Sequence, residues 1–332
     1  IVSKACVINE ERESMVETYN LDQIKSACRH LSFIDAIEAG FAAYSRGDVV
    51  VPPVGELSFA TPPGDTHIKY GYIKNNDSFV IKIASGFYDN PKQGLPSNSG
   101  LMLVFSQQTG TLKTILLDEG FLTDVRTAVA GQIAAKYLAP SEISTIGVLG
   151  TGIQARMQVF YLREITPCRQ VIAWGRSDER LSSYKKDMEA DGFMVETTTD
   201  PREVAAHCNL LITTTPSQRP LLFEKMIRPG THITAMGSDT PYKQELDTRI
   251  LWKAELLVAD SISQCQERGE ISKALADKSI TGDEVVELGS IINGNTDGRT
   301  TDEQITIADL TGVAVQDIQI ANAVCAELRL AP

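Results

Sequence analysis

The sequence predicts an α/β protein made of two parts, one built on an antiparallel or mixed sheet and the other on a parallel sheet. Two patterns support this prediction. Between residues 66 and 118, short segments rich in β-branched and aromatic residues follow one another with only turn residues between them. After Pro140, short apolar runs alternate instead with helical stretches, which is typical of βαβ units and a parallel sheet.

Length and composition exclude several classes of protein. A chain of 332 residues has the length of about two domains. Its 42% hydrophobic and 22% charged residues are ordinary for a globular protein and exclude wholesale disorder. The net charge of −12 repels phosphate backbones, so we expect no nucleic-acid partner. Without a run of about 18 apolar residues, we also expect no membrane span.

The cysteine and histidine patterns bear on compartment and metal binding. The six cysteines are scattered and contain no CxxC pair, which is typical of reduced, mostly buried thiols in a cytosolic protein. The beginning of the sequence has no signal-peptide pattern, so we expect a cytoplasmic protein. None of the four histidines has metal-ligand spacing, and we expect no metal site.

The first part of the chain opens with two helical patterns. In the second pattern, Ser32 is the expected N-cap and Gly47 the expected end, with apolar residues at helical spacing between them. Val49–Pro53 is then stiff and extended. The candidate strands that follow are Thr66–Ile73, Ser78–Ile83, Leu101–Ser106 and Thr111–Leu117.

A long helix separates the two parts. Thr123 is the expected N-cap, and one apolar stripe continues to Ala139. The last helix, Val313 to Leu328, is amphipathic and is expected to fold back on the first part. Between these helices, the candidate strands of the parallel sheet are Thr145–Leu149, Gln170–Trp174, Asn209–Thr213, His232–Met236 and Leu256–Ala259.

A glycine-rich turn follows the first of these strands and opens a helix. Gly150 permits a tight turn, Gly152 lets the backbone approach a pyrophosphate, and Ala155 lets the helix pack close to the strand. The strand–turn–helix context indicates a Rossmann dinucleotide site, with the free N–H groups of the helix facing the phosphates. A glycine-rich turn without a ligand is the alternative. The predicted cofactor-binding residues here are Gly150, Gly152, Ile153, Gln154 and Ala155.

The end of the second parallel strand bears on the choice of cofactor. A site for NAD usually places an acidic residue there, for the 2′-hydroxyl of the ribose. This chain has Arg176 and Ser177 instead, which could hold a 2′-phosphate. NADP(H) is therefore favoured and NAD(H) remains possible. The alternative for Arg176 is a solvated charge at the start of the next helix.

Three further stretches, together with the glycine turn, resemble one protein family. They occur in the family's order and, with the turn, extend the likeness over nearly the whole chain. The resemblance is to the ornithine cyclodeaminase/mu-crystallin family. The stretches are Leu122–Ala128, Gly230–Asp239 and Gly312–Asp317.

The resemblance implies a homodimer of two-domain subunits. It implies a Rossmann NAD(P)-binding domain at residues 126–312. Residues 1–125 plus 313–332 would form a mixed α/β substrate-binding and dimerisation domain. The common chemistry of such proteins passes a hydride between a nicotinamide and the Cα–N bond of an amino acid or its imine.

The resemblance also implies roles for individual residues. Arg126, expected in the first turn of its helix, would bind the substrate α-carboxylate, since the helix dipole and the guanidinium both favour an anion. Lys82, a lone charge in an apolar strand, matches the family's proton-transferring lysine better than Lys69 does. Asp239, after a parallel strand, would handle the proton on the substrate nitrogen. Further cofactor contacts are implied for Thr127, Thr215, Met236, Gly237, Ser238 and Lys243.

Two positions depart from the family pattern. Ornithine cyclodeaminases have a glutamate where this chain has Lys69, and a cation there would repel ornithine and favour an anion. Mu-crystallin-like members have an arginine in the segment equivalent to Pro52–Glu56, which here contains none. Glu56 would then meet a substrate amine or hydroxyl, or pair with Lys69. Plain surface roles are the alternative for both residues.

Three functional hypotheses remain from the sequence. The first is an NAD(P)H-dependent reductase of a cyclic or α-imino acid, of the Δ1-pyrroline-2-carboxylate or ketimine type, and Lys69 ranks it first. The second is an ornithine or related cyclodeaminase with bound NAD, and an amino-acid dehydrogenase is a further alternative. The third is a non-catalytic NADP(H)-binding protein, which the presence of Lys82, Arg126 and Asp239 disfavours.

Overall fold

The computed structural model describes residues 15–87 and 89–330, and two large sheets organise this part of the chain. The first sheet has the order β1-β7-β6-β5-β4-β2, with β3 paired to β4. Its pairs are antiparallel except for β1 with β7, which confirms the expected meander. Its strands are β1 (Glu17–Tyr19), β2 (Val49–Val50), β3 (Gly55–Ala60), β4 (Pro63–Ile73), β5 (Ser78–Phe87), β6 (Asn98–Ser106) and β7 (Leu112–Leu116).

The second sheet is parallel throughout and has the order β10-β9-β8-β11-β13-β17-β15-β16. The order in which strands are added reverses at β8, which has β9 on one side and β11 on the other, and this is the Rossmann arrangement. A separate parallel pair joins β12 and β14. The strands are β8 (Ile146–Leu149), β9 (Gln170–Trp174), β10 (Met194–Thr198), β11 (Leu210–Thr213), β12 (Gln218–Leu222), β13 (His232–Ala235), β14 (Gln244–Leu246), β15 (Leu256–Ala259), β16 (Val285–Glu287) and β17 (Thr306–Asp309).

Helices cover one face of the first sheet and both faces of the second. The last helix, α11, packs on β4 and β5 and against α1, α2 and α3, which confirms that the C-terminal helix folds back on the first part. The helices are α1 (Leu21–Cys28), α2 (Ile34–Ser45), α3 (Phe121–Leu138), α4 (Ile153–Tyr161), α5 (Asp178–Ala190), α6 (Pro201–His207), α7 (Thr248–Lys253), α8 (Ile262–Cys265), α9 (Gly269–Ala276), α10 (Leu288–Ile292) and α11 (Ala314–Leu330).

Two predicted helix starts are wrong. The N-cap of α2 is Phe33 rather than Ser32. The long helix α3 begins at Phe121, a turn before the position that Thr123 was expected to cap, and its N-cap is Gly120. Helix α3 starts early because the Asp118 carboxylate, two residues before the N-cap, accepts from the Leu122 N–H at 2.8 Å. This hydrogen bond satisfies a free donor of the first turn.

The long hairpins of the first sheet extend beyond the predicted strands. Pairing continues to Gly64 opposite Phe87 and to Gly86 opposite Asn98. Propensity alone ends these strands too early, because glycine is a poor strand former that tertiary pairing overrides here.

Helix α3 is shared by the two parts of the molecule. It packs against α2 and α11 on one side and against α4, β13 and β17 on the other. The predicted domain boundary between residues 125 and 126 therefore lies inside a continuous helix. This helix packs on elements of both parts of the molecule.

The cysteine prediction concerns six residues, of which Cys6 lies outside the described residues. The other five are free thiols, and Cys208, Cys265 and Cys325 are buried. In the described part of the chain, we find no helix whose length and apolar character would suffice for a membrane crossing.

Candidate active site

A cavity of about 840 Å³ opens at the carboxyl ends of β8, β9 and β11, where the glycine turn lies. Gly150 has φ +129°, and a Cβ there would lie 2.4 Å from Thr214 Oγ1. At Gly152 a Cβ would meet nothing within 4 Å, so the bare backbone before α4 borders open space. A roomy cavity at a helix N-terminus without side chains fits the phosphates of a dinucleotide.

The predicted cofactor residues divide into those that line this cavity and those that support it. Ile153 is exposed at the start of α4, whereas Ala155 is fully buried beneath the turn. The Gln154 side chain donates to the carboxylate and carbonyl of Asp124 on α3, at 3.0 and 3.1 Å. The predicted cofactor residues that line the cavity are Gly150, Gly152, Arg176, Ser177 and Thr215.

Three arginines line the same cavity. Sequence reasoning singled out Arg176, but it missed Arg180 in the first turn of α5 and Arg219 on β12. All three are exposed, and the structure gives Ser177 a second task as the N-cap of α5. The three guanidinium groups line a cavity that has no carboxylate among its described lining residues, so they make the site attractive to a phosphate.

A buried glutamate that sequence reasoning missed ties two cavity loops together. The Glu245 carboxylate accepts from the N–H and the hydroxyl of Thr215, both at 2.6 Å, and from the Gly237 N–H at 2.9 Å. A Cβ at position 237 would lie 2.5 Å from Glu245 Oε2, so the bridge requires glycine there. Burial raises the pKa of Glu245 to about 7.

The two remaining cofactor candidates after β13 are inward-facing. Ser238 is 2% exposed, and its hydroxyl donates to the Lys243 carbonyl at 2.9 Å. The Met236 sulfur accepts from Gln158 on α4. Thr127 lines neither this cavity nor the smaller one described below, and its hydroxyl donates back to the Thr123 carbonyl at 2.7 Å.

A second cavity, of about 240 Å³, lies between the inner face of the first sheet, the start of α3 and the loop after β13. It brings together the predicted residues Lys82, Lys69, Arg126, Asp239 and Lys243. Its lining residues are Asp65, His67, Lys69, Lys82, Ala84, Ser85, Gly86, Asn98, Ser99, Gly120, Thr123, Asp124, Arg126, Asp239 and Lys243.

One carboxylate from α11 joins the two principal cations of this cavity. Asp317 Oδ1 lies 3.1 Å from Lys82 Nζ and 3.1 Å from Arg126 Nε, and its side chain is 1% exposed. Gln316 accepts from Arg126 Nη1 at 2.9 Å. Arg126 lies in the second turn of α3, not the first as expected, so its orientation depends on α11 more than on the helix dipole. The Gly312–Asp317 stretch thus supplies the counter-charge of the site.

Lys69 lies directly opposite Lys82 on the neighbouring strand and is also buried. Its ammonium donates to the Thr311 and Gly312 carbonyls at 3.0 and 2.6 Å. A Cβ at Gly312 would lie 2.7 Å from Arg126 Nη1, so this turn must be glycine for the cations to fit. A plain surface role for Lys69 is therefore wrong.

The crowding of cations alters their protonation. Burial, reinforced by the neighbouring Arg126 guanidinium, lowers the pKa of Lys82 to about 7 and that of Lys69 to about 8. Lys82 consequently exchanges a proton readily near neutral pH, which suits a general acid or base.

Asp239 and Lys243 form an ion pair at 2.6 Å, and the aspartate side chain is 41% exposed. Burial would raise the pKa of Asp239, but Lys243, Lys69 and His67 outweigh it and hold the pKa below its usual value. Asp239 is therefore ionised at neutral pH. Lys243, predicted as a cofactor residue, lines the smaller cavity instead.

Glu56 is outside the cavity lining and does not pair with Lys69. Its carboxylate oxygens lie 3.9 Å from His67 Nε2 and 3.8 Å from Arg268 Nη2. The register explains the error, since Glu56 on β3 is opposite His67 on β4, two residues from Lys69. His67 itself was missed, although it shares a strand face with Lys69 because side chains alternate along β4.

Comparisons with known proteins show to which family the chain is similar. The model of the ornithine cyclodeaminase/mu-crystallin family matches residues 12–329. An uncharacterised cyclodeaminase of Sinorhizobium fredii is 40% identical over 88% of this chain and 89% of its own. An alanine dehydrogenase of Archaeoglobus fulgidus is 35% identical over 91% and 92%, and a Δ1-pyrroline-2-carboxylate reductase of Bacillus cereus is 29% identical over 84% and 86%.

Solved structures show the same fold over nearly the whole chain. An archaeal alanine dehydrogenase dimer with bound NAD has a TM-score of 0.87 and 32% identity, covering 95% of this chain and 96% of that one. The iminosuccinate reductase of Paracoccus denitrificans in complex with NAD+ has a TM-score of 0.84 and 28% identity, covering 95% and 97%.

Proposed function

The chain belongs to the ornithine cyclodeaminase/mu-crystallin family, and we propose that it reduces a cyclic or α-imino acid to the amino acid with NAD(P)H. The observation that carries this proposal is the buried cluster of Lys82, Arg126 and Asp317 in a small cavity that Asp239 also lines. This cluster offers a carboxylate-binding group and a proton donor side by side.

The residues divide the work by their charge and protonation. Arg126, held by Asp317 and Gln316, binds the substrate α-carboxylate. When bound, NAD(P)H supplies the hydride for the imine carbon. The Lys82 ammonium donates a proton to the imine nitrogen as the C=N π electrons move onto it, and solvent reprotonates the lysine. Asp239 stays ionised and stabilises the ammonium group that the product amine becomes when it takes a second proton from solvent.

The arginines of the larger cavity support NADP(H) as the preferred cofactor. The positive charges of Arg176, Arg180 and Arg219 complement a 2′-phosphate. The described lining residues include no carboxylate that could accept a hydrogen bond from a 2′-hydroxyl. NAD(H) remains the alternative, since relatives of known structure hold NAD.

A cyclodeaminase is the second candidate, favoured by the similarity to the Sinorhizobium fredii relative. In that reaction ornithine or a related diamino acid would give proline or its homologue and ammonia with bound NAD. Lys69 argues against it, because a buried ammonium beside Lys82 repels a second substrate amine. An amino-acid dehydrogenase would use the same residues for the reverse reaction. A protein that only binds the cofactor would not need a buried lysine paired with a carboxylate, as Lys82 is with Asp317.

The outer face of the first sheet supports a homodimer. Apolar side chains occupy successive outward positions of β4, β5 and β6, and the Phe79 and Phe105 rings stack at 4.8 Å. A second copy would cover this face and remove its apolar side chains from water. Light scattering should give twice the chain mass, and Ile81→Asp should give the monomer. The outward residues are Tyr70, Tyr72, Phe79, Ile81, Leu103 and Phe105.

The test of activity is the loss of absorbance at 340 nm with NADPH or NADH and a panel of imines. The panel contains Δ1-pyrroline-2-carboxylate and the imines that 2-oxo acids form with ammonia. We expect the protein to oxidise NAD(P)H in the presence of an imine. Lys82→Ala and Arg126→Ala should abolish this oxidation. Lys74→Gln, at the far end of the same hairpin, should keep it. Ammonia release from ornithine with catalytic NAD and no imine reduction would instead establish the cyclodeaminase.

A further inference from the structure

The wall of the smaller cavity beyond the two lysines is almost entirely polar. On the inner face of the first sheet, His67 lies opposite Ala84, and Asp65 lies opposite Gly86, which in turn pairs with Asn98. Ala84 is the one apolar side chain larger than hydrogen among the described residues that line the cavity. An apolar substrate group placed here would gain little from burial.

His67 is half-buried, and one of its ring nitrogens is buried without a hydrogen-bond partner. Its Nε2 atom has none among the described residues, and the nearest carboxylate oxygen, of Glu56, lies 3.9 Å away. Burial and the neighbouring Lys69 ammonium lower the pKa of His67, so the imidazole is neutral at neutral pH. A neutral imidazole can donate or accept one hydrogen bond, and burying it unpaired is costly.

This wall faces the one substituent of the substrate that the proposed chemistry leaves unassigned. If the proposed function holds, Arg126 takes the α-carboxylate, while Lys82 and Asp239 contact the nitrogen. The remaining substituent of the α-carbon, the side chain, then meets the surface of His67, Ala84 and Asn98.

Resting on the proposed function, we propose that this surface is a subsite for a short, uncharged side chain bearing a hydroxyl group. A hydroxyl both donates and accepts, so it complements the imidazole of His67 and the amide of Asn98. A second carboxylate would meet Asp65 on the same wall, whereas the Lys69 ammonium is already engaged by the Thr311 and Gly312 carbonyls. An apolar ring would leave the buried nitrogen of His67 unpaired. The cavity volume of about 240 Å³ limits the substrate to a few heavy atoms beyond the amino-acid core.

The test compares two pairs of nearly isosteric compounds that differ in a hydroxyl against a methyl group. Binding of serine and 2-aminobutyrate, each as both enantiomers, is measured calorimetrically to the full chain with NADP+ or NAD+ present. Reduction is measured with 3-hydroxypyruvate plus ammonia and with 2-oxobutyrate plus ammonia. We expect a preference of about ten- to a hundredfold for the hydroxyl compound in both measurements.

Substitution of His67 separates the subsite from the rest of the cavity. His67→Leu should bring the preference close to one, and His67→Gln, whose amide can donate and accept, should restore part of it. His207→Leu, at an exposed histidine of α6, is the matched control and should keep the full preference.

The outcomes distinguish the subsite from the proposed function. Equal or stronger binding of 2-aminobutyrate, or faster reduction of Δ1-pyrroline-2-carboxylate or of the imine of oxaloacetate, would overturn the subsite while leaving imine reduction intact. If no imine is reduced but serine still binds more tightly through His67, the proposed function fails and the subsite stands.

Discussion

The two cavities of the candidate active site are built in different ways. The larger one is formed around a contiguous stretch, Gly150 to Ala155, whose backbone conformation creates the site. The smaller one is assembled from β4, β5, α3, the loop after β13 and the start of α11. A site made of backbone can be recognised locally in a sequence, whereas a site made of buried charges depends on segments far apart in the chain.

The two cavities also differ in what they cost the fold. An open glycine turn carries no buried charge. By contrast, Lys69, Lys82 and Arg126 are all buried, and one carboxylate, Asp317, pairs with both Lys82 and Arg126. Burial of ions is expensive unless each finds a partner. The comparison therefore predicts that changes in the smaller cavity affect stability and turnover together, whereas changes in the larger one affect mainly cofactor binding.

The largest effect is expected for Asp317→Asn. It removes the counter-charge shared by Lys82 and Arg126, and we expect a loss of about 3–5 kcal/mol in the free energy of unfolding, measured with urea. Glu17→Gln is the control, because it removes the carboxylate of an exposed pair with Arg329 and should cost no more than about 1 kcal/mol. Equal losses in the two variants would contradict the buried-cluster interpretation.

The next effect concerns proton donation by Lys82. Because its pKa is lowered to about 7, the ammonium form disappears as the pH rises through 7, and kcat/KM for imine reduction should fall there. Lys82→Gln should lower kcat by about 10²- to 10⁴-fold. Lys82→Arg keeps a charge at all accessible pH and should abolish the descending limb. If kcat/KM of Lys82→Arg still fell at the same pH, the fall would belong to another group.

A smaller effect is expected at the cofactor cavity for Arg176→Ala. Loss of one charged hydrogen bond to a 2′-phosphate should reduce the NADPH-to-NADH ratio of kcat/KM by about ten- to a hundredfold. Arg169→Ala, whose guanidinium donates to the Thr166 and Cys168 carbonyls, serves as a control away from the cavity lining. An unchanged ratio in Arg176→Ala would mean that Arg176 does not contact a 2′-phosphate.

The smallest and sharpest prediction contrasts two glycines of one turn. Gly152→Ala places a methyl group in open space, so thermal stability should be unchanged while the Kd for the cofactor rises by about tenfold. Gly150→Ala forces φ +129° on a residue with a Cβ and should lower the melting temperature as well. The same melting temperature in both variants would mean that the turn relaxes.

Sequence reasoning was most successful where neighbouring residues determine the outcome. The α/β fold and the family membership are confirmed, as are the meander and the return of the last helix. The start of α3 was missed because its capping acceptor, Asp118, is not at a standard capping position. The strands around Gly64 and Gly86 ended too early because only pairing partners compensate for glycine.

The site shows the same division. Lys82, Arg126 and Asp239 stood out in the sequence and lie in one cavity, and their catalytic roles remain predictions. Glu245, Asp317 and His67 were missed as site residues. Glu245 and Asp317 act through contacts with residues 30 and more than 190 positions away in the chain, respectively.

The sequence by itself determined the parallel-sheet architecture and the dinucleotide turn, because hydrophobic period and glycine conformation are local properties. Only the tertiary structure decided which charges share a cavity. The register of β4 and β5 places Lys69 against Lys82, and the packing of α11 brings Asp317 between Lys82 and Arg126. Coulomb energy depends on distance in space and on burial, and neither quantity is encoded in the spacing of residues along a chain.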